Sequence, residues 1–333
     1  MRKTIPWIIV FKMLLLLVSG RAYGQTEICL EKQAIPSGYV ATAQVRNPSC
    51  WNGYGIKVEI PYGGMQICAF SPVPDPYVVT DDLSNKDMNT CAGVGRYRID
   101  FPKNDMLVCN SSPVPLGYGV TYFSKDNGNC LIGRKRIGSI FDGMLVCSIM
   151  THIPEPYYVT WVGSGLACGG ASSTYRISVA RPGMDVCSQS TMHSSYVITT
   201  IGQGSSCGNG RTYTINKAHD GIYVCDNSPI PPSYVVTWRG VYATCGQLKS
   251  YRLNVIRNGM EACSGKPVPS GYVITNITSN ASDCLLTDRY RLETPYEGMV
   301  ACANSPIPAG WKKDGTVSIY YCSRFQGIRL SKS

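Results

Sequence analysis

Sixteen cysteines recur along the chain with a regular period, and this period constrains the fold more than any other feature of the sequence. Members of a first series are 38 to 41 residues apart, and each is followed 20 to 23 residues later by a member of a second series. The first series is Cys29, Cys68, Cys109, Cys147, Cys187, Cys225, Cys263 and Cys302, and the second is Cys50, Cys91, Cys130, Cys168, Cys207, Cys245, Cys284 and Cys322. Such a period indicates a protein built from eight similar units of about 39 residues.

Residues 1–24 have the composition of a cleavable secretory signal peptide. Arg2 and Lys3 precede an apolar stretch, and small residues end the segment at Gly24. An uncleaved anchor is the alternative, but Lys12 interrupts an apolar run that is already shorter than the roughly 20 residues of a membrane span. We therefore predict that residues 25–333 form one eight-unit domain that is secreted, periplasmic or at the cell surface, with no membrane span after cleavage.

Export to an oxidising compartment favours disulfides over free thiols or a metal site. Pairing each first-series cysteine with the next second-series one uses all sixteen. Pairing across unit boundaries would leave Cys29 and Cys322 without a partner, unless those two bond to each other. We favour pairs of the first kind, such as Cys225–Cys245. Each would close a loop of about 20 residues and stabilise the fold by about 3 kcal/mol. No metal site or cofactor is expected.

Each unit contains three short strand patterns separated by Pro and Gly. They are Tyr-Val-Val-Thr after a Pro-x-Pro loop, Tyr-Arg-Ile after the second cysteine, and Gly-Met-x-Val before the next first-series cysteine. The residue between the methionine and the valine varies, as on a solvent face (Gln66, Leu107, Asp185, Tyr223, Glu261). No long amphipathic helix pattern is present. The sequence predicts an all-β fold of eight tandem, disulfide-stapled repeats that start near the first-series cysteines.

The two ends of the repeat array are out of phase with each other. Residues 26–29 match the last strand of a unit, and residues 328–330 match the middle strand. The first strand could therefore complete the last unit and close a propeller-like ring. An open β-array is the alternative, although no polar capping unit is evident.

Basic residues occupy the central position of the Tyr-Arg-Ile pattern in seven units, and Thr214 occupies it in the other. They are Lys57, Arg98, Arg136, Arg176, Arg252, Arg291 and Arg329. We call these seven residues the basic row. Without its signal peptide the chain keeps a net charge of about +6, which permits an anionic partner. A structural role is the alternative, because each side chain could bond loop carbonyls or stack on a tyrosine.

Two kinds of aromatic position recur beside the Tyr-Val-Val-Thr pattern. Its tyrosine is present in seven units, with Trp311 in the eighth, and is assigned to the core. The residue after the threonine varies between units and is aromatic in three: Tyr122, Trp161 and Trp238. If exposed, these three could serve as platforms for sugar rings.

These features favour a non-enzymatic binding or adhesion protein that recognises glycans or anionic surface polymers through many weak contacts. The basic row and the three variable aromatics are its expected binding residues. A structural role, such as a fibre or appendage subunit that self-associates through a strand edge, is the first alternative. An enzyme with a site in a central cleft is the second, although the sequence has no Gly-x-Ser-x-Gly elbow or phosphate loop.

Overall fold

The computed structural model describes residues 26–83, 90–124, 126–149, 152–169, 173–246 and 248–333. The predicted signal peptide, residues 1–24, lies outside this range. The described residues form eight three-stranded antiparallel sheets and no closed barrel, and three short 3-10 turns end at second-series cysteines. We number the sheets as repeats 1 to 8 in chain order. The predicted all-β fold of eight disulfide-stapled repeats is therefore confirmed.

Every sheet is built in the same way. Its first strand ends at or beside a first-series cysteine, its second strand follows the Pro-rich loop, and its third strand lies between the other two. The first strands are β1 (Thr26–Ile28), β4 (Gln66–Cys68), β7 (Met106–Cys109), β10 (Leu145–Cys147), β13 (Met184–Cys187), β16 (Ile222–Cys225), β19 (Met260–Cys263) and β22 (Val300–Cys302).

The second strands form one edge of each sheet, and the third strands form its centre. The second strands are β2 (Val40–Arg46), β5 (Val78–Asp82), β8 (Tyr118–Ser124), β11 (Tyr157–Ser164), β14 (Tyr196–Gln203), β17 (Tyr234–Val241), β20 (Val273–Ala281) and β23 (Trp311–Val317). The third strands are β3 (Tyr54–Glu59), β6 (Arg96–Asp100), β9 (Arg134–Ser139), β12 (Ser173–Val179), β15 (Arg211–Lys217), β18 (Lys249–Val255), β21 (Thr287–Glu293) and β24 (Gly327–Lys332). The 3-10 turns span Leu166–Cys168, Ser205–Cys207 and Ala243–Cys245.

Each chain end pairs within its own repeat, so the first strand does not complete the last repeat as the sequence suggested it could. Strand β1 pairs with β3 of its own repeat, with Ile28 opposite Ile56. Strand β24 lies between β22 and β23, with Arg329 opposite Val300. The Gly-Met-x-Val strand thus belongs to the sheet of the cysteine that follows it. With this grouping, no repeat lacks a strand.

All sixteen cysteines are paired within their repeats, as predicted. The bonds are Cys29–Cys50, Cys68–Cys91, Cys109–Cys130, Cys147–Cys168, Cys187–Cys207, Cys225–Cys245, Cys263–Cys284 and Cys302–Cys322, with Cα–Cα distances of 5.3–5.5 Å. Eight disulfides are typical of proteins that work outside the reducing cytosol. None of the helices in the described part of the chain is long and apolar enough to cross a bilayer.

The repeats group into two compact units, with repeats 1–3 in residues up to 139 and repeats 4–8 from residue 140 onwards. Within each unit, the second strand of one sheet packs on the first strand of the next. One core cluster in the second unit joins Val197 of repeat 5 with Val224 and Leu253 of repeat 6 and Cys263 of repeat 7. Because each repeat buries its apolar face against its neighbour, one repeat alone would lack a complete core.

A serine three residues after the first cysteine links five pairs of neighbouring repeats. Its hydroxyl accepts a hydrogen bond from a second-strand amide of the preceding repeat at 2.8–2.9 Å. The pairs are Ala41–Ser71, Val79–Ser112, Val159–Ser190, Ile198–Ser228 and Ile274–Ser305. These bonds satisfy amides that would otherwise be buried at the packing surface without an acceptor.

Candidate binding face

A β-bulge shapes the solvent face of seven repeats. The register of the second strand shifts at its threonine, so that Val236 and Trp238, for example, pair with successive residues of β18 while Thr237 is the extra residue. The threonine hydroxyl donates to the carbonyl of the residue at the basic-row position, at 3.2–3.5 Å in Thr42, Thr80, Thr121, Thr160, Thr199, Thr237 and Thr275. A bulge re-aims the side chain that follows it. The residue after the threonine therefore lies directly across from the basic row.

All seven residues of the basic row lie on a central strand and are at least partly exposed to solvent. Arg98, Arg176, Arg252, Arg291 and Arg329 are exposed, and Lys57 and Arg136 are half-buried. The neighbouring residues on the same strand point inward: Tyr251 and Leu253, which flank Arg252, are buried. The alternation along the strand thus places the cations on the outer face of each sheet.

The three variable aromatics that the sequence singled out each pair with a member of the basic row. Tyr122 lies opposite Arg136, Trp161 opposite Arg176, and Trp238 opposite Arg252. The Cζ atoms of Arg136 and Arg176 lie 5.8 Å from the ring centroids of Tyr122 and Trp161, respectively. This is within the range of a cation–π interaction.

Repeat 6 adds two aromatic side chains to this arrangement. Tyr223, across β18 from Trp238, lies 5.9 Å from the Arg252 Cζ and meets the Trp238 ring edge-on at 5.6 Å. The ring of Tyr242 is stacked on that of Tyr223 at 5.2 Å, with 10° between the planes. Tyr223 is 39% exposed and Tyr242 is 44% exposed. We call Tyr223, Trp238, Tyr242 and Arg252 the aromatic cluster of repeat 6.

Glycines hold the two tryptophans close to the sheet. A Cβ atom placed on Gly163 would lie 2.0 Å from the indole of Trp161, and one on Gly240 would lie 2.0 Å from that of Trp238. Each indole therefore rests on the bare backbone two residues further along its own strand. The Trp-x-Gly sequence of both strands carries this signal, which can be read without a structure.

Carboxylates neutralise three members of the basic row. Lys57 pairs with Glu59 at 2.6 Å, Arg136 with Asp105 at 3.4 Å and Arg291 with Glu293 at 2.7 Å. Within the described ranges, no carboxylate oxygen lies within 4.0 Å of the charged nitrogens of Arg98, Arg176, Arg252 or Arg329. These four guanidinium groups keep their donors for water or for an anion.

Two buried groups beside the basic row have strongly shifted pKa values. Burial and a hydrogen bond to the Asp226 carboxylate raise the pKa of Tyr251 to about 12. Lys135, at the corresponding position of repeat 3, donates to the carbonyls of Asn110 and Ser112, and burial lowers its pKa to about 8. Both groups point inward, so they affect stability rather than the charge of the outer face.

Among the described residues, one group of three side chains has the spacing of a metal site: Cys29, Glu31 and Cys50. The two sulfur atoms of this group are bonded to each other, which removes the thiolates that would bind a metal. Comparison of the whole chain with protein-family models, with curated proteins and with solved structures finds no match. Functional inference therefore depends on the geometry of the binding face.

Proposed function

We propose that this protein is exported and binds anionic polysaccharides through the outer faces of its repeats, without catalysing a reaction. The observation that carries the proposal is the pairing of aromatic rings with arginines on the same face, most extensive in the aromatic cluster of repeat 6. Tyr122, Tyr223 and Tyr242 are exposed, and Trp161 and Trp238 are half-buried. A ring offers an apolar surface to the C–H face of a sugar, and a guanidinium offers paired donors to a carboxylate, sulfate or phosphate. The assembly and enzyme hypotheses stay predictions.

Repetition supports the same proposal. Four arginines without a carboxylate partner among the described residues, Arg98, Arg176, Arg252 and Arg329, occupy one structural position in four different repeats. Arg176, Arg252 and Arg329 belong to the same compact unit, and a polymer with regularly spaced negative charges can contact more than one of these three at once. Weak contacts of about 1–2 kcal/mol each then combine into a strong overall interaction.

The test compares binding of the chain to heparin, polygalacturonate and neutral dextran by surface plasmon resonance at several salt concentrations. We expect both polyanions to bind at low salt and to weaken as salt rises, while dextran does not bind. In repeat 6, the double substitution Trp238→Ala and Arg252→Gln should weaken binding by about tenfold, or about 1.4 kcal/mol, because the ligand loses one ring contact and one guanidinium contact.

Repeat 5 supplies a matched control, because its corresponding outer residues are polar. Thr200→Ala with Thr214→Ala should leave polyanion binding unchanged. The reverse exchange, Asp185→Tyr with Thr200→Trp and Thr214→Arg, should strengthen it, because it also removes the carboxylate opposite residue 214. Binding that survives the repeat 6 substitutions unchanged, or that is equally strong for dextran, would contradict the proposal.

A further inference from the structure

The contact between repeats 6 and 7 lacks the serine bond that links five other pairs of repeats. The position three residues after the first cysteine holds Lys266 in repeat 7. Val236 and Ile198 both precede the bulge of their strand, and the Ile198 amide donates to Ser228 of the next repeat. The Val236 amide therefore faces repeat 7 in the same way. Among the described residues, no side chain accepts a hydrogen bond from the Val236 amide.

The Lys266 side chain does not take the place of the missing serine. Its Nζ lies 4.8 Å from the centroid of the Tyr251 ring, which also receives the guanidinium of Arg239 at 5.3 Å. The Arg239 guanidinium is held by a bond to the carbonyl of Ser264. Lys266 has no carboxylate within 4.0 Å in the described part of the chain. The position is therefore cationic and only partly buried.

An open cavity of about 180 Å³ lies at this contact. Its walls include Tyr234, Val236, Ala262, Val268 and Leu292, and Lys266 also lines it. A dry cavity of about 150 Å³ with aliphatic walls is large enough for a benzene ring. The cavity thus offers an apolar volume of ring size, with the ammonium of Lys266 and the Val236 amide, which has no side-chain acceptor among the described residues, as its donors.

We propose that this cavity binds a small aromatic carboxylate of about the size of benzoate. The ring occupies the space between Val268 and Leu292, and the carboxylate accepts hydrogen bonds from the Val236 amide and the Lys266 ammonium. The flexible lysine stem allows the ammonium to leave the Tyr251 ring for the stronger, charge-assisted bond. The cavity lies where two sheets pack together, whereas the basic row lies on their outer faces, so this site does not depend on polysaccharide binding.

The test uses benzoate as the probe and follows the Val236 amide by two-dimensional ¹H–¹⁵N NMR of the oxidised chain. We expect benzoate to shift the Val236 resonance in a saturable manner. Benzyl alcohol should bind more weakly, and benzylamine should not bind because it carries the same charge as Lys266. Equal binding of benzylamine, or the absence of any saturable shift with benzoate, would overturn the proposal.

Two substitutions at Lys266 separate the apolar and the charged parts of the site. Lys266→Ser introduces the residue found at five other contacts. It should abolish benzoate binding, because the serine hydroxyl would accept the hydrogen bond of the Val236 amide. Lys266→Met keeps an apolar wall and should weaken benzoate at least tenfold while benzyl alcohol binds as before. Ser228→Ala, at the contact between repeats 5 and 6, is the matched control and should leave benzoate binding intact. Unchanged benzoate affinity in Lys266→Ser would also overturn the proposal.

Discussion

Repeats 5 and 6 are neighbours with the same construction and different outer faces. Both have a disulfide that joins residues 20 positions apart, and in both the second strand bulges at its threonine. Across the outer face, repeat 5 carries Asp185, Thr214 and Thr200, where repeat 6 carries Tyr223, Arg252 and Trp238. The comparison shows that the positions that build the sheet and the positions that face solvent vary independently.

The two outer faces also differ in how their polar groups are satisfied. In repeat 5 the Thr214 hydroxyl donates to Asp185 at 2.7 Å, so the two groups satisfy each other. In repeat 6 the Arg252 guanidinium lies 5.9 Å from the ring centroid of Tyr223 and keeps donors free for a ligand. Repeat 5 therefore serves as an internal reference in which the scaffold is present without the proposed binding groups.

Removal of one disulfide should have the largest effect and should be equal in the two repeats. The double substitutions Cys187→Ala/Cys207→Ala and Cys225→Ala/Cys245→Ala each open a loop of the same length. Each should lower the free energy of unfolding by about 3 kcal/mol in the chain-entropy account. Urea denaturation followed by circular dichroism measures both. A cost in repeat 6 that exceeds the cost in repeat 5 by more than about 1.5 kcal/mol would show that the two scaffolds are not equivalent.

The sequence predicted the features that can be read within a single repeat. Cysteine spacing and the position of Cys29 and Cys322 at the ends of the array favoured the pairing that all eight disulfides adopt. The variable middle position of the Gly-Met-x-Val pattern placed Tyr223 on a solvent face. That the basic row also faces outward was left open between a binding and a structural role. These predictions succeed because period and alternation follow directly from strand geometry.

The features that the sequence did not reveal involve contacts between strands or between repeats. The bulge at Thr237 decides that Trp238 lies across from Arg252, yet the threonine itself is equally well explained by β-propensity. Tyr242 lies outside the repeated pattern and joins the aromatic cluster through the turn before Cys245. The sequence also placed the Gly-Met-x-Val strand at the end of a unit, whereas it belongs to the sheet of the cysteine that follows it. That grouping was wrong because a repeated pattern does not show which of its strands belong to one sheet.

Alkaline pH should destabilise repeat 6 through Tyr251. Its pKa is about 12 in the folded protein against an ordinary value of 10.0, because burial and the Asp226 carboxylate disfavour the phenolate. Below pH 10 the phenol is protonated in both the folded and the unfolded chain, and it makes its full contribution to the free energy of unfolding. Between pH 10 and 12 the unfolded chain loses the proton first, so the free energy of unfolding falls by up to about 2 kcal/mol.

The substitution Tyr251→Phe removes this dependence. Urea denaturation at several pH values should show the wild-type free energy of unfolding falling more steeply above pH 10 than that of the variant. Tyr213→Phe is the matched substitution in repeat 5, where Ser188 stands in place of Asp226. Parallel pH profiles for wild type and Tyr251→Phe would contradict the role assigned to the Tyr251–Asp226 bond.

Removal of the threonine hydroxyl at the bulge should have the smallest effect on stability. It should also distinguish repeats 5 and 6 most clearly in polyanion binding. Thr199→Val deletes a bond donated to the Thr214 carbonyl and a bond accepted from Asn216. Thr237→Val deletes a hydroxyl whose one proton is shared between the Asn254 Oδ1 at 2.6 Å and the Arg252 carbonyl at 3.5 Å. Each should cost about 1–2 kcal/mol, measured by urea denaturation. Thr→Ser at either position keeps the hydroxyl and should restore stability.

The two threonine variants should nevertheless differ in polyanion binding. In repeat 6 the bulge determines where Trp238 lies relative to Arg252, whereas in repeat 5 the same bulge places Thr200, which contributes no ring. Thr237→Val should therefore weaken heparin binding measurably, and Thr199→Val should not. If both variants bound heparin as tightly as wild type despite equal losses of stability, the bulge would be a device for sheet construction alone, and the position of Trp238 would not depend on it.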